Sequence, residues 1–541
     1  MEMQELYDYI IQDIPGIEEE FIRLPQINAV RADDGWFVAS GTLPADRQLN
    51  ISSLGYATIP KLYGLMEDTD LTVLEEIGAT RVLGLDNLKA DGSGVLIGYI
   101  DTGIDYTKSV FINEIGNTYI ETIWDQNTDE VYDKHLINEA LRANRDGKDP
   151  YEIVPQRDEN GHGTMLASLR IALKSSIAMV KLKPAKKYLK DFYLVKDDAV
   201  CYQENDIMLG VKFLKDKANE LKMPLVIVIG LGTANGSRTG DSPLSDMLDK
   251  LTLQPGMSVV TCTGNEADTK GHYKGRISSA LAPDVFEINV SDKGKGFFLE
   301  IWAESLDILS VSVESPSGES VPRIPARMGT RLEYSFLYEG SRLSVDYQIA
   351  ENISGMEVVY LTLKDPTPGV WKISVYSLTD IKGTYNAWLP LEQFLDQETF
   401  FLRPDPDITL TEPSCASRVI SVGGYNHKTG GSFLSSGRGF TSDGKIKPEL
   451  IAPAKDILTV KPIGFVTSSG TSLAAAITAS AVALLFSYAV NKQETQLLYQ
   501  TDVKAALIRG AVRNPRNTYP NQIEGFGKLN ILGAFEQFRK S

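Results

Sequence analysis

The sequence is poor in cysteine and in positive charge. Only Cys201, Cys262 and Cys415 occur among 541 residues. Their odd number and wide spacing exclude a disulfide framework and a cysteine-based zinc knuckle. Lys and Arg number 54 against 71 Asp and Glu, a net charge of −17. Nucleic acids and anionic lipids bind basic surfaces, so neither is an expected partner.

Long apolar runs are also absent. The nearest is 473–490, which Thr478, Ser480 and Ser487 interrupt, whereas a membrane span needs about 18 apolar residues in succession. The first 23 residues lack the basic and then apolar order of an export signal and carry three consecutive glutamates at 18–20. We therefore expect no membrane span, no signal peptide and a cytoplasmic location.

The sequence contains alternating strand and helix patterns. Continuous apolar runs typical of buried parallel strands occur at 94–100, 177–182, 225–231 and 259–263. Helical patterns lie between them at 206–221 and 243–251. This alternation predicts a doubly wound, mostly parallel α/β sheet, with a site at the carboxyl ends of its strands.

The pattern changes after about residue 283. Short segments of period two, separated by Gly and Pro clusters, run to about residue 400 and indicate an antiparallel jelly-roll-like module. Because α/β character returns from Arg418, this module is inserted into the α/β domain. The first 65 or so residues form a small α+β unit with a hairpin that joins 27–30 to 36–39. We expect boundaries of 1–66, 67–282, 283–400 and 401–541.

Three residues from distant parts of the chain form a candidate catalytic set. Asp101 follows the first buried strand, and Ser472 begins an Ala-rich helix. His162 has a glycine on each side and begins a helical pattern at 164–172. Taken singly, a cap or a helix start explains each of them better than catalysis does. Together they supply an orienting carboxylate, a general base and a nucleophile.

At these residues the sequence resembles the subtilases, the subtilisin-like serine proteases. The matching blocks are Asp101-Thr-Gly-Ile-Asp, Gly161-His-Gly-Thr, Thr263-Gly-Asn-Glu, Lys447-Pro-Glu-Leu-Ile-Ala-Pro and Gly470-Thr-Ser-Leu-Ala-Ala. They contain Asp, His and Ser in the chain order known for subtilisin. Five ordered blocks over most of 94–530 make the resemblance specific.

The resemblance implies a role for each matching position. Ser472 would be the nucleophile, His162 the general base and Asp101 its orienting acid. Asn265 would complete the oxyanion hole, and Gly230, Leu231 and Gly232 would form an extended segment that pairs with substrate. Two positions depart from the family pattern: Ala476 replaces the usual Pro, and Gly230 replaces the commoner Ser. These departures concern helix geometry and substrate preference.

Within the subtilases, the insert and the block Tyr202-Gln-Glu-Asn-Asp-Ile-Met-Leu-Gly are similar to the Csp-type germination proteases of clostridial spores. This similarity implies a self-cleaved N-terminal prodomain that acts as an intramolecular inhibitor, and a jelly roll that braces the catalytic domain. It implies a protein substrate, the precursor of a cortex-lytic enzyme, and a spore-associated location. The stretch Ile59-Pro-Lys-Leu-Tyr-Gly-Leu-Met should lie in the cleft, with self-cleavage between Tyr63 and Asp70.

Two other functions stay open at this point. A subtilase fold can serve as a catalytically silent signalling or scaffold protein, or the β module can dominate as a binding protein. We expect no cofactor, since the remaining histidines lack zinc spacing; calcium is left open, without an assigned site.

Overall fold

The computed structural model describes most of the 541 residues. The described ranges are 6–24, 27–33, 35–42, 49–66, 68–69, 76–85, 88–279, 282–304, 308–378, 383–492 and 497–538.

An eight-stranded sheet forms the centre of the molecule. Its strands, in spatial order, are β26 (Leu450–Pro453), β25 (Ile420–Tyr425), β13 (Met257–Cys262), β11 (Leu225–Ile229), β6 (Leu96–Asp101), β9 (Ser176–Lys181), β7 (Ile120–Asp125) and β8 (Glu130–Asp133). All neighbours are parallel except β8, which is antiparallel to β7. The four apolar runs of the sequence are β6, β9, β11 and β13, so the predicted sheet is confirmed. Helices cover both faces and bury these apolar strands, as the doubly wound architecture requires.

Helices connect and cover these strands. They are α3 (Ala79–Leu83), α4 (Lys134–Arg145), α5 (His162–Ser168), α6 (Lys187–Phe192), α7 (Glu204–Leu221), α8 (Pro243–Leu251), α9 (Thr471–Asn491), α10 (Gln500–Gly510) and α11 (Ile531–Phe538). Helix α9 is long and apolar enough to cross a membrane, but 94% of its most apolar window is buried, as in the core helix of a globular domain. Helix α9 runs unbroken through Ala476.

The N-terminal unit is a three-stranded antiparallel sheet. Its order is β1 (Tyr7–Gln12), β3 (Trp36–Gly41) and β2 (Asn28–Asp33), together with the helices α1 (Ile17–Arg23) and α2 (Ile51–Leu54). Pairing of β2 with β3 confirms the predicted hairpin. Ile10 and Trp36 from this sheet join the apolar cluster of α7 and α8, so the unit packs on the central domain.

Two antiparallel sheets form the β module. The first contains β14 (His272–Arg276), β23 (Thr384–Trp388), β16 (Gly296–Ala303), β21 (Glu357–Lys364), β20 (Arg342–Gln348) and β19 (Leu332–Ser335). The second contains β18 (Ser320–Ile324), β17 (Leu309–Glu314), β22 (Gly369–Ser377), β15 (Asp284–Val290) and β24 (Thr399–Phe401). Strand β14 precedes the expected boundary at 283 and yet pairs with β23 of the module.

Strand β16 is buried on both of its faces. Ile301 belongs to the core between the two sheets of the module. Phe298 and Trp302, which point the other way, belong to the core of the α/β unit. The module therefore shares one continuous apolar contact with the α/β unit.

Two small sheets meet at the carboxyl ends of the central strands. One has the order β10 (Tyr202–Gln203), β4 (Leu62–Leu65) and β12 (Leu231–Gly232). The other has the order β27 (Ile457–Lys461), β28 (Gly464–Ser469) and β5 (Asp68–Thr69). The chain between β4 and β5 therefore crosses the edge of the sheet where the doubly wound topology puts a site.

Candidate active site

Asp101 is the last residue of β6 and points to the site edge. The side chain is buried, with 1% of its surface exposed. Its Oδ1 accepts a hydrogen bond from the backbone N–H of Thr102 at 2.8 Å and lies 2.7 Å from Nδ1 of His162. The central sheet thus fixes the carboxylate that orients the imidazole.

His162 is the first residue of α5, and its two flanking glycines have separate structural reasons. Gly161 has a φ of +87°, a left-handed conformation that favours glycine. At Gly163 a Cβ atom would lie 2.2 Å from the carbonyl oxygen of Gly103 and 3.2 Å from Cβ of Asp101. The absence of side chains at these two positions lets the histidine segment approach the aspartate segment.

A residue without a role in our sequence interpretation holds these segments together. Asp158 accepts hydrogen bonds through Oδ1 from Thr102 Oγ1 at 2.7 Å and from the N–H of Gly161 at 2.8 Å. Its Oδ2 accepts from the N–H and the hydroxyl of Thr164 at 2.8 and 2.6 Å. The signal in the sequence was its position four residues before His162, next to backbone donors at a helix start.

Ser472 is the second residue of α9 and is fully buried. Its Oγ lies 3.3 Å from Nε2 of His162 and donates a hydrogen bond of 2.6 Å to the carbonyl oxygen of Met66. The structure therefore brings Asp101, His162 and Ser472 from three remote segments into one contact chain. The positive end of the α9 dipole lies at the same place.

Asn265 lies after β13, beside the start of α9. Its Oδ1 accepts hydrogen bonds from the backbone N–H and the hydroxyl of Thr471, at 3.2 and 3.0 Å. Because the oxygen takes both bonds, the amide nitrogen is on the opposite branch of the side chain. The amide nitrogen is therefore not the atom that contacts Thr471.

Gly230, Leu231 and Gly232 follow β11 at the edge of the site. A Cβ atom on Gly230 would lie 3.2 Å from both His162 Cε1 and Ser472 Cβ, so this backbone passes directly beside the pair. Leu231 and Gly232 form β12, which pairs antiparallel with β4 in the register Leu231 to Leu65 and Gly232 to Gly64. The predicted extended segment is thus already paired with a strand of the same chain.

That strand belongs to residues 59–66, which we call the cleft segment. It lies between β12 on one side and β10 on the other, where Tyr202 pairs with Tyr63. At its end, the carbonyl of Met66 meets the Ser472 hydroxyl. Beyond it, β5 pairs with β28, the strand that leads into α9. The main chain of the protein thus occupies both sides of the candidate nucleophile.

The other histidines lie away from these groups. His272 is buried in β14, where Nε2 contacts Asn386 Oδ1 at 3.0 Å and the ring stacks on Trp388. Burial lowers the pKa of His272 to about 4. Within the described ranges, no cluster of three or more His, Cys, Asp and Glu is arranged to hold a metal ion.

The chain is similar to known proteins in sequence and in fold. The model of the subtilase family matches residues 405–527. The solved structure of the CspB protease of Clostridium perfringens is similar at a TM-score of 0.78 and 33% sequence identity, over 86% of this chain and 99% of that one. This chain is a subtilase. As such it belongs to a family of serine-type endopeptidases.

A curated relative matches a shorter stretch of the subtilase. The subtilisin-like protease SBT6.1 of Arabidopsis thaliana is 33% identical over 136 residues. The match spans 24% of this chain and 13% of the length of the plant protein.

Proposed function

We propose that this subtilase hydrolyses peptide bonds of protein substrates with Ser472, His162 and Asp101, and with Asn265 in the oxyanion hole. The observation that carries the proposal is the contact chain from Asp101 Oδ1 to Nδ1 of His162 at 2.7 Å, and from Nε2 to Ser472 Oγ at 3.3 Å. Distances of this order permit proton transfer between nucleophile and base, and contacts in the resting state are often the looser ones.

In the proposed reaction, Oγ of Ser472 forms a bond to the carbonyl carbon while Nε2 of His162 takes the hydroxyl proton. Asp101 stabilises the imidazolium that results. The oxyanion accepts hydrogen bonds from the Asn265 amide and the N–H of Ser472. The C–N bond then breaks and His162 gives its proton to the leaving amine. Water then adds to the acyl carbon while His162 takes its proton, and the bond to Ser472 Oγ breaks as His162 returns that proton to the serine.

The first substrate in this proposal is the chain itself, at the bond between Met66 and Glu67. This narrows the expected interval between Tyr63 and Asp70 to a single bond. The support is the 2.6 Å hydrogen bond between Ser472 Oγ and the Met66 carbonyl oxygen. Glu67 and residues 70–75 lie outside the described residues.

Residues 1–66 are proposed to be a prodomain that inhibits the enzyme by occupying its cleft. The catalytic core would comprise 67–282 and 401–541, and 283–400 would be a jelly-roll-like brace. The larger sheet of this brace also contains β14, which precedes the boundary. Burial of Phe298 and Trp302 against the α/β unit supports the bracing role.

We further propose, from the similarity to the CspB protease, that the external substrate is the precursor of a spore cortex-lytic enzyme. A cytoplasmic or spore location is supported by three free, buried cysteines, which suit a reducing compartment. The proposed chemistry uses side chains and one backbone N–H of the chain itself and calls for no cofactor.

Labelling with a fluorophosphonate probe tests the catalytic proposal against the silent scaffold. The self-processed wild type should be labelled on Ser472, whereas Ser472→Ala should not be labelled. His162→Ala should react at least about a hundredfold more slowly, because the hydroxyl loses its base. A folded, processed wild type that stays unlabelled would favour the scaffold.

A further inference from the structure

A small cavity of about 30 Å³ lies beside the cleft segment, close to its first residues. The side chains of Lys61 and Tyr63, two residues apart on one face of the strand, line one wall. The opposite wall includes the carboxylates of Glu204 and Glu351, from the catalytic unit and the β module. The cavity thus joins three parts of the chain.

Lys61 is a buried cation in this wall, with 3% of its surface exposed. Its Nζ donates a hydrogen bond of 2.8 Å to the carbonyl oxygen of Tyr56 and lies 3.8 Å from Oε2 of Glu204. Burial lowers the pKa of Lys61, and the charges of Glu204, Glu351 and Glu300 oppose that effect. The three carboxylates therefore offset part of the cost of burying this amine as a cation.

Glu204 contacts both the backbone and the charge of residue 61. Its own N–H donates to the Lys61 carbonyl at 3.0 Å, which extends the pairing of β10 with β4. Its Oε2 accepts from the N–H of Lys61 at 3.3 Å. The position of residue 61 relative to the wall is thus fixed by main-chain contacts, which any peptide in this register can make.

Two carboxylates of the β module add negative charge near Lys61: Glu351 lines the cavity, and Glu300 accepts a hydrogen bond from Tyr56, which also lines it. One oxygen of Glu351, Oε2, accepts from the N–H groups of Ile353 and Ser354 at 3.1 and 2.8 Å. The other, Oε1, is buried and accepts no hydrogen bond from the described residues. Glu300 is fully buried and accepts from Tyr56 and from the loop after β12, through Asn235 and Gly236.

Departure of residues 1–66 would remove the cation and leave the carboxylates of Glu204 and Glu351 on the wall of the cleft. Buried like charges without a partner are strongly unfavourable, and an arriving cation relieves that cost. Glu204, Glu300 and Glu351 all lie outside the prodomain, so they stay with the mature enzyme.

We propose that the mature cleft has a cation subsite, lined by Glu204 and Glu351 and supported by the negative charge of Glu300 nearby, that selects external substrates with a lysine or arginine at the sixth residue before the cut bond. This rests on the proposed cleavage after Met66, which makes Lys61 the sixth such residue. The chain's own Lys61 fills the subsite before processing.

Peptides based on residues 59–70 test the subsite with the self-processed chain. Replacement of the lysine by norleucine should lower kcat/KM at least about tenfold, equivalent to ~1.4 kcal/mol. Arginine should keep it within about threefold. A control peptide has norleucine at this position and lysine in place of the preceding proline, so its net charge equals that of the parent peptide. Its lysine points to the other face of the strand, so its kcat/KM should remain as low as that of the norleucine peptide.

Enzyme variants show whether the preference comes from the proposed wall. Glu351→Gln should reduce the lysine-over-norleucine ratio at least about threefold. The matched control, Glu314→Gln, removes a half-exposed carboxylate that pairs with Lys372 on the module surface and should keep the ratio. Equal kcat/KM for the lysine and norleucine peptides would overturn the subsite.

A second arm needs no free cleft, because it follows self-cleavage of newly translated full-length chain. Lys61→Arg should convert at nearly the wild-type rate and Lys61→Met at least about tenfold more slowly. If Lys61→Met slows self-cleavage because it leaves Glu351 without a cation, the double variant Lys61→Met/Glu351→Gln should convert faster than Lys61→Met alone. Effects of the two substitutions that simply add would contradict the subsite. A wild type that never converts would instead contradict the proposed function on which the subsite rests.

Discussion

The imidazole of His162 is held by groups that contact its neighbours as well as its ring. Asp158 accepts hydrogen bonds from the N–H groups of Gly161, just before α5, and Thr164, in its first turn. A Cβ atom at Gly163 would collide with the backbone of Gly103. The contacts among Asp101, His162 and Ser472 therefore depend on several segments of the chain that pack within van der Waals distance of one another. Single substitutions here can change turnover while the fold persists.

Asp101→Asn should lower the rate of self-cleavage about 10⁴-fold. The amide keeps the size of the carboxylate but favours the wrong imidazole tautomer and cannot stabilise the imidazolium; the same change in the triad of another serine protease causes a loss of about that order. Conversion of translated chain, followed by gel, measures it. An unchanged melting temperature is the control, and a loss below about tenfold would contradict the assigned role.

Asn265→Ala should lower kcat about 10²- to 10³-fold with little change in KM. The amide is proposed to bind the oxyanion, a charge that the ground state lacks; the magnitude is the one measured in subtilisin for such a donor. Peptide hydrolysis by the processed variant gives the two parameters separately. A rise in KM with kcat unchanged would show a binding role instead.

At the scale of elements, strands of two to four residues build the cleft. The strands β10, β4 and β12 pair through main-chain groups. The sequence could predict β6, β9, β11 and β13, because each is a long apolar run buried on both faces. It could not predict β10 or β4, because strands this short show no measurable alternation of apolar and polar residues.

One predicted helix is shorter than its pattern. Residues 164–172 were expected to be helical, whereas α5 ends at Ser168. The backbone N–H groups of Ile171 and Ala172 donate instead to the hydroxyl of Ser480 in α9, at 2.7 and 2.9 Å. A tertiary partner outside the segment ended the helix, and local sequence does not contain that information.

His272 in strand β14 makes the free energy of unfolding depend on pH. The pKa of His272 is about 4 in the folded chain, because of burial, and about 6.5 when unfolded. The unfolded state therefore binds more protons between these values, and the contribution is complete above pH 6.5 and lost as pH falls toward 4. The difference in unfolding free energy between wild type and His272→Gln should fall by about 3 kcal/mol over this range. Denaturant titrations at several pH values measure it; a difference independent of pH would contradict the buried, neutral state.

At the scale of the whole molecule, the chain passes through its own active site. The cleft segment lies on one side of Ser472 and β5 on the other, and both are paired with strands of the catalytic unit. Motif blocks in the sequence could predict that Asp101, His162 and Ser472 come together, because the proposed chemistry requires these residue types. The bond that faces Ser472 and the acidic wall around Lys61 depend on how distant segments pack, so sequence alone did not reveal them.

The most direct test of this account is the N-terminal sequence and intact mass of the purified large chain. Wild type should begin at Glu67, and Ser472→Ala should keep all residues of the prodomain in one covalent chain. Identical full-length masses for both proteins, or a wild type that begins elsewhere than Glu67, would contradict the assignment of Ser472 as a nucleophile poised at Met66.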